Sequence, residues 1–82
     1  MNDETISKLE EYIVTQMLKQ PSRHLKADEP LITSGVIDSF HLVDLALFVE
    51  DTFGVQIDDS ELNADTFDTL EQLAALILGR QN

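Results

Sequence analysis

Between Asp38 and Gly54 the chain runs for fifteen residues without a glycine or a proline, and this stretch constrains the fold more than any other. Asp38 is a good N-cap residue, because its carboxylate can accept from the N–H groups that a first helical turn leaves free. Gly54 tolerates the left-handed conformation that stops a helix. The spacing therefore predicts a central helix that closes at Phe53. A chain of 82 residues has room for one small domain, which buries roughly 60–65% of the surface of its unfolded form.

Two further segments repeat the helical period. Ile6, Leu9, Ile13 and Met17 recur at steps of three and four with polar residues between them, which predicts an amphipathic helix over roughly residues 3–19, ended by Gln20-Pro21. Leu70, Leu73, Ala74 and Ile77 supply the inward face of a last helix up to Gly79, and Asp68 with Glu71 three residues later resembles a capping box. From Pro21 to Ile37 no helical period holds. That segment reads as a long surface connection, pinned to the core by Leu25, Leu31, Ile32, Val36 and Ile37. Val55-Gln56-Ile57 alternates like a short extended piece, and Asp58-Asp59-Ser60-Glu61-Leu62 reads as a cap with one or two helical turns. The expected class is all-α: three main helices and a short one, with a long loop between the first two.

The composition narrows the function. Sixteen acidic residues against five basic ones leave a net charge of −11, which argues against nucleic acid as a partner. There is no cysteine, so disulfides, thiolate metal sites and thiol chemistry by the chain's own side chains are excluded. No stretch approaches the ~18 apolar residues of a membrane span, and the acidic start does not resemble a targeting peptide, so a cytoplasmic protein is expected. No base lies between Lys26 and Arg80, whereas twelve acids do. Such a segment aids solubility, and it also steers basic protein surfaces toward the chain in a salt-dependent way.

On a helical wheel of the central segment, Leu42, Leu45, Val49 and Phe53 fall within about 80° of one another and form a core stripe. Phe40, Val43 and Leu47 fall on the opposite side, interleaved with Asp44, Glu50 and Asp51. Unpaired carboxylates are rarely buried, so this second face is expected to be wet and to present a small apolar patch with an acidic rim, suited to transient docking.

Ser39 stands at the start of this helix beside Asp38. A helix N-terminus favours an anion, so a phosphodiester on the Ser39 oxygen is electrostatically acceptable there, although Asp38 opposes it unless it caps the helix or is read by a modifying enzyme. Ser39, His41 and Asp38 or Asp44 do not make a hydrolase triad, because residues one and two apart on a helix diverge by about 100° and 200°. His24 and His41 read as solvated surface groups. Asp58-Asp59-x-Glu61 lacks the glycine and alternating ligands of a calcium loop and reads as a cap with a solvated cluster.

The run Leu31-Ile32-Thr33-Ser34-Gly35-Val36-Ile37-Asp38-Ser39-Phe40, followed by Phe53-Gly54-Val55-Gln56-Ile57 and by Phe67-x-Thr69-Leu70-x-x-Leu73, resembles the acyl carrier protein family over nearly the whole chain. The resemblance implies a four-helix bundle in which Ser39, flanked by Asp38, receives 4′-phosphopantetheine from coenzyme A. The terminal thiol of that arm then holds an acyl or aminoacyl cargo as a thioester. It also explains the missing cysteine, since the thiol arrives with the cofactor. Ile37, Phe40, His41 and Asp58 depart from the housekeeping fatty-acid pattern. Asp-Ser-Phe is similar to discrete carriers of specialised pathways, among them D-alanyl and some aminoacyl or polyketide carriers.

The implied protein is a monomeric carrier without catalysis of its own. Its implied partners are a phosphopantetheinyl transferase, an ATP-dependent ligase or acyltransferase, and downstream synthases or transferases with basic docking surfaces in lipid, cell-envelope or secondary-metabolite biosynthesis. Each would read the face of Phe40, Val43, Asp44, Leu47, Glu50 and Asp51. The rival reading is an acidic adaptor that uses this face but is never modified, and a weaker third is a calcium-buffering protein.

Overall fold

The computed structural model describes residues 2–81, and for Asn2, Asp3 and Ser39 the backbone alone. Helix α1 spans Asn2–Tyr12, α2 spans Ser39–Phe53 and α3 spans Leu70–Arg80, with one 3-10 turn at Asp59–Glu61. The described residues are thus all-helical, as the periodicity predicts, and the expected short helix is a single turn.

α1 runs on through a π-helical stretch, Ile13–Met17, where the Leu18 N–H donates to the Ile13 carbonyl five residues back at 2.9 Å. The wider turn rotates the apolar stripe: Leu9, Ile13 and Met17 are buried as expected, Val14 joins them, and Ile6 is only partly covered. The segment stops where Lys19 turns left-handed (φ 55°) and the Gln20 N–H closes on the Val14 carbonyl at 2.7 Å, ahead of Pro21.

α2 closes as its sequence requires. Gly54 is left-handed (φ 71°), and its N–H donates to the Glu50 carbonyl at 3.0 Å. Leu42, Leu45 and Val49 are buried, but Phe53, expected in the same stripe, is half-buried. It lies in the last turn of α2, edge-on to Phe48 at 6.2 Å between ring centroids, while Phe48 stacks on Tyr12 of α1 at 4.0 Å. Aromatic packing along the α1–α2 seam thus takes Phe53 partly out of the core.

α1 packs against α3, whose Leu70, Leu73, Ala74 and Ile77 are buried with Phe67. Val55 and Ile57 point inward around an exposed Gln56. Each fully buried side chain of this kind is worth roughly 2 kcal/mol of apolar transfer.

The first part of the long connection is tied to both α1 and α3. The Leu25 N–H donates to the Glu10 carboxylate at 2.8 Å, and the Glu71 N–H donates to the Ala27 carbonyl at 3.0 Å. Leu25, Leu31 and Ile37 are buried, with Ile32 and Val36 packed against the core.

The expected Asp68–Glu71 capping box is not formed. Thr69 caps α3, its Oγ1 accepting from the Gln72 N–H at 3.1 Å. Asp68 Oδ1 instead accepts from the N–H groups of Leu31, Ile32 and Thr33 at 3.2, 2.7 and 3.1 Å. Three converging amides satisfy a carboxylate better than one helix end does, so tertiary packing overrides the local motif.

Candidate functional site

α2 starts at the end of the connection, and three local features set where it starts. Gly35 turns the chain with φ 83°, its N–H donating to the Ile32 carbonyl at 3.1 Å, a conformation that side chains with a Cβ resist. Ile37 is then buried and fastens the backbone, its N–H bonded to the Leu31 carbonyl at 2.9 Å. Asp38 is extended, and its Oδ1 accepts from the His41 N–H at 3.0 Å, which is the expected N-cap. Residue 39 is therefore the first residue of the helix, one step past a cap and two past a buried anchor. The Ser39 side chain lies outside the described residues.

His41, expected to be solvated, is partly covered. Its Nδ1 is shielded from solvent and lies 3.4 Å from Asp38 Oδ1. The Asp38 carboxylate folds back over the first turn to cap it and brings the i+3 ring with it. His24 has a side chain 95% exposed, 3.6 Å from Glu10.

Phe40, Val43 and Leu47 are exposed at 85%, 50% and 56%, on the face opposite the buried stripe. Asp44, Glu50 and Asp51 are exposed among them. Among the described residues no base pairs with these three acids, and the one base after Lys26, Arg80, is paired with Glu61. Burial first, and then the Asp44 carboxylate of this face, push the phenol of Tyr12 in α1 above its ordinary value.

A groove of about 270 Å³ runs between α2 and the segment after it. It is lined by Val43, Ala46, Leu47 and Glu50 opposite Gln56, Ile57, Asp58 and Asp59. The wheel shows the α2 half of this groove. Gln56, Asp58 and Asp59 were read as an extended piece and a cap and not as part of this face, although the stretch without bases contains both aspartates. Asp58 and Glu61, read as a cap, are one: Glu61 Oε2 accepts from the Asp58 N–H at 2.9 Å.

Residues 7–77 match the family described as "Phosphopantetheine attachment site", and the chain belongs to that family, the family of the acyl carrier proteins. Neither a curated protein nor a solved structure matches the chain. Domains of this family carry 4′-phosphopantetheine covalently on a serine and are carriers, not enzymes.

The residues at the start of α2 fit such a group. The first turn presents N–H groups and the positive end of the helix dipole. Phe40 on one side is exposed, and the Asp38 side chain on the other is 60% exposed. No helix among the described residues is long and apolar enough to cross a membrane.

Proposed function

We propose that this protein carries an acyl or aminoacyl group on 4′-phosphopantetheine attached to Ser39 and presents it to partner enzymes along α2. The observation that carries the reading is the position of Ser39 within the family match. All five serines fall between residues 7 and 77, but only Ser39 opens a helix, next to an N-capping acid and an exposed aromatic ring. Ser7 lies inside α1, Ser22 lies in a turn, Ser34 donates its hydroxyl proton to the Pro30 carbonyl at 2.6 Å, and Ser60 sits in the 3-10 turn. When bound, the group supplies a terminal thiol on which cargo travels as a thioester.

The face of Phe40, Val43, Asp44, Leu47, Glu50 and Asp51 is where partners dock in this reading. They are a phosphopantetheinyl transferase, a loading ligase or acyltransferase, and downstream synthases or transferases with basic surfaces. Its exposed apolar centre and unneutralised acidic rim support that assignment. Phe40 and His41, in place of leucine and an acid, favour a discrete carrier of a specialised lipid, cell-envelope or secondary-metabolite pathway. The reading takes residues 1–82 as one carrier domain, cytoplasmic and kept monomeric by the self-repulsion of a −11 charge.

The test is an intact-mass measurement. The purified apo chain is incubated with coenzyme A and a broad-specificity transferase. A gain of one phosphopantetheine group, absent from Ser39→Ala, is the expected result. An unmodified chain overturns the assignment and leaves the unmodified adaptor, whereas an equal gain in Ser39→Ala overturns Ser39 as the attachment residue.

A further inference from the structure

Arg80 lies three residues beyond the family match, at the end of α3, yet it reaches back across the fold. Its Nη1 donates to the Gln56 carbonyl at 3.0 Å and to Glu61 Oε2 at 3.1 Å, and its Nη2 pairs with Glu61 Oε1. Glu61 Oε2 in turn accepts from the Asp58 N–H. One planar guanidinium therefore holds both ends of the segment that carries Gln56, Ile57, Asp58 and Asp59, the far wall of the groove along α2. A fork of this kind fixes geometry in a way that a lysine ammonium does not. The wall has few other fasteners: Val55 and Ile57 anchor it from beneath, while Asp58, Asp59 and Ser60 are exposed.

We propose that Arg80 is a positioning residue for partner docking: its clamp on Gln56 and Glu61 holds the 56–61 wall against α2, so that the groove is preformed for a basic partner surface. The proposal rests on the docking face inferred above and adds the device that shapes it. The occupant is a lysine- or arginine-bearing protein surface, because the groove is lined by the carboxylates of Glu50, Asp58 and Asp59 together with the apolar Val43, Ala46, Leu47 and Ile57.

Simple electrostatics and the clamp predict opposite outcomes for Arg80→Gln. Removing a positive charge makes the chain more acidic and by itself strengthens attraction to a basic partner. Loss of the clamp loosens the wall and weakens docking. The probe is the same transferase reaction, with KM for the carrier separated from kcat, together with amide hydrogen exchange across residues 56–62.

Arg80→Gln is expected to raise KM several-fold with kcat little changed, to speed exchange at 56–62, and to keep its defect in high salt, where charge steering is screened. Arg80→Lys, which keeps the charge, is expected to share the defect. The exchanged pair Glu61→Arg with Arg80→Glu is expected to recover it. Glu61→Gln removes the charge and one of the two acceptor oxygens without touching α3, and serves if Arg80 variants fold poorly. A KM that is unchanged or lowered in Arg80→Gln and Glu61→Gln, with modification of Ser39 intact, overturns the clamp and leaves the carrier reading standing. Absence of modification in the parent chain overturns both.

Discussion

The Asp68 carboxylate at the entrance to α3 accepts the Thr33 hydroxyl proton at 2.6 Å, joining residues thirty-five positions apart. With the amides of Leu31, Ile32 and Thr33 on its other oxygen, it is the fastener that brings the long connection down on the core just before α2 begins. The Thr33 hydroxyl, followed by these amides, holds the Asp68 carboxyl below its ordinary value.

Asp68→Ala is therefore expected to destabilise the fold by about 1–3 kcal/mol, the cost of leaving several amides without their acceptor. Chemical denaturation at neutral pH measures it. Because the folded-state pKa is depressed, the carboxylate's contribution is fully present above the unfolded-chain pKa, near 4, and is lost as pH falls through the folded value. The parent and the alanine variant should converge in stability only on acidification below that range. A constant difference down to the lowest pH at which the protein folds rules the contribution out.

Leu45 and Leu47 are two residues apart on α2 and face opposite ways, one 1% exposed and the other 56%. Leu45→Ala is expected to cost about 2–5 kcal/mol in unfolding free energy. Leu47→Ala and Phe40→Ala should stay within about 0.5 kcal/mol of the parent while raising KM for the carrier in the transferase reaction. Stability loss in the second pair would mean that the outer stripe is packed, not presented.

Reversing charge at Asp44 and Glu50 to lysine should slow modification or loading at low salt, with the deficit shrinking as ionic strength rises and the Debye length falls to about 3 Å near 1 M. Stopped-flow or initial-rate measurements at two salt concentrations decide it. Equal rates at low salt remove the acidic rim from docking.

Three elements show how far residue order reaches. Asp38, the apolar run and Gly54 act within one helix, so the bounds of α2 and its two opposed faces follow from local rules: a cap, a period of 3.6 and a residue that accepts φ 71°. The motif around Ser39 was equally legible, because it is contiguous. Asp68 was legible only as a cap, since its partners lie at 31–33 and nothing in the neighbouring residues announces them. Phe53 was assigned to the core by its angle, yet contact with Phe48 sets it at the edge.

Reading the chain as a string establishes the helices, the charge field and the serine at a helix start, because these depend on spacings shorter than one helix. Folding in three dimensions decides which carboxylate seats the long connection and that Arg80 reaches Gln56 and Glu61 beside the exposed face of α2. Those contacts span nineteen to thirty-seven positions in sequence. They are selected by which unsatisfied groups the packed core brings within hydrogen-bond reach, a choice no local pattern encodes.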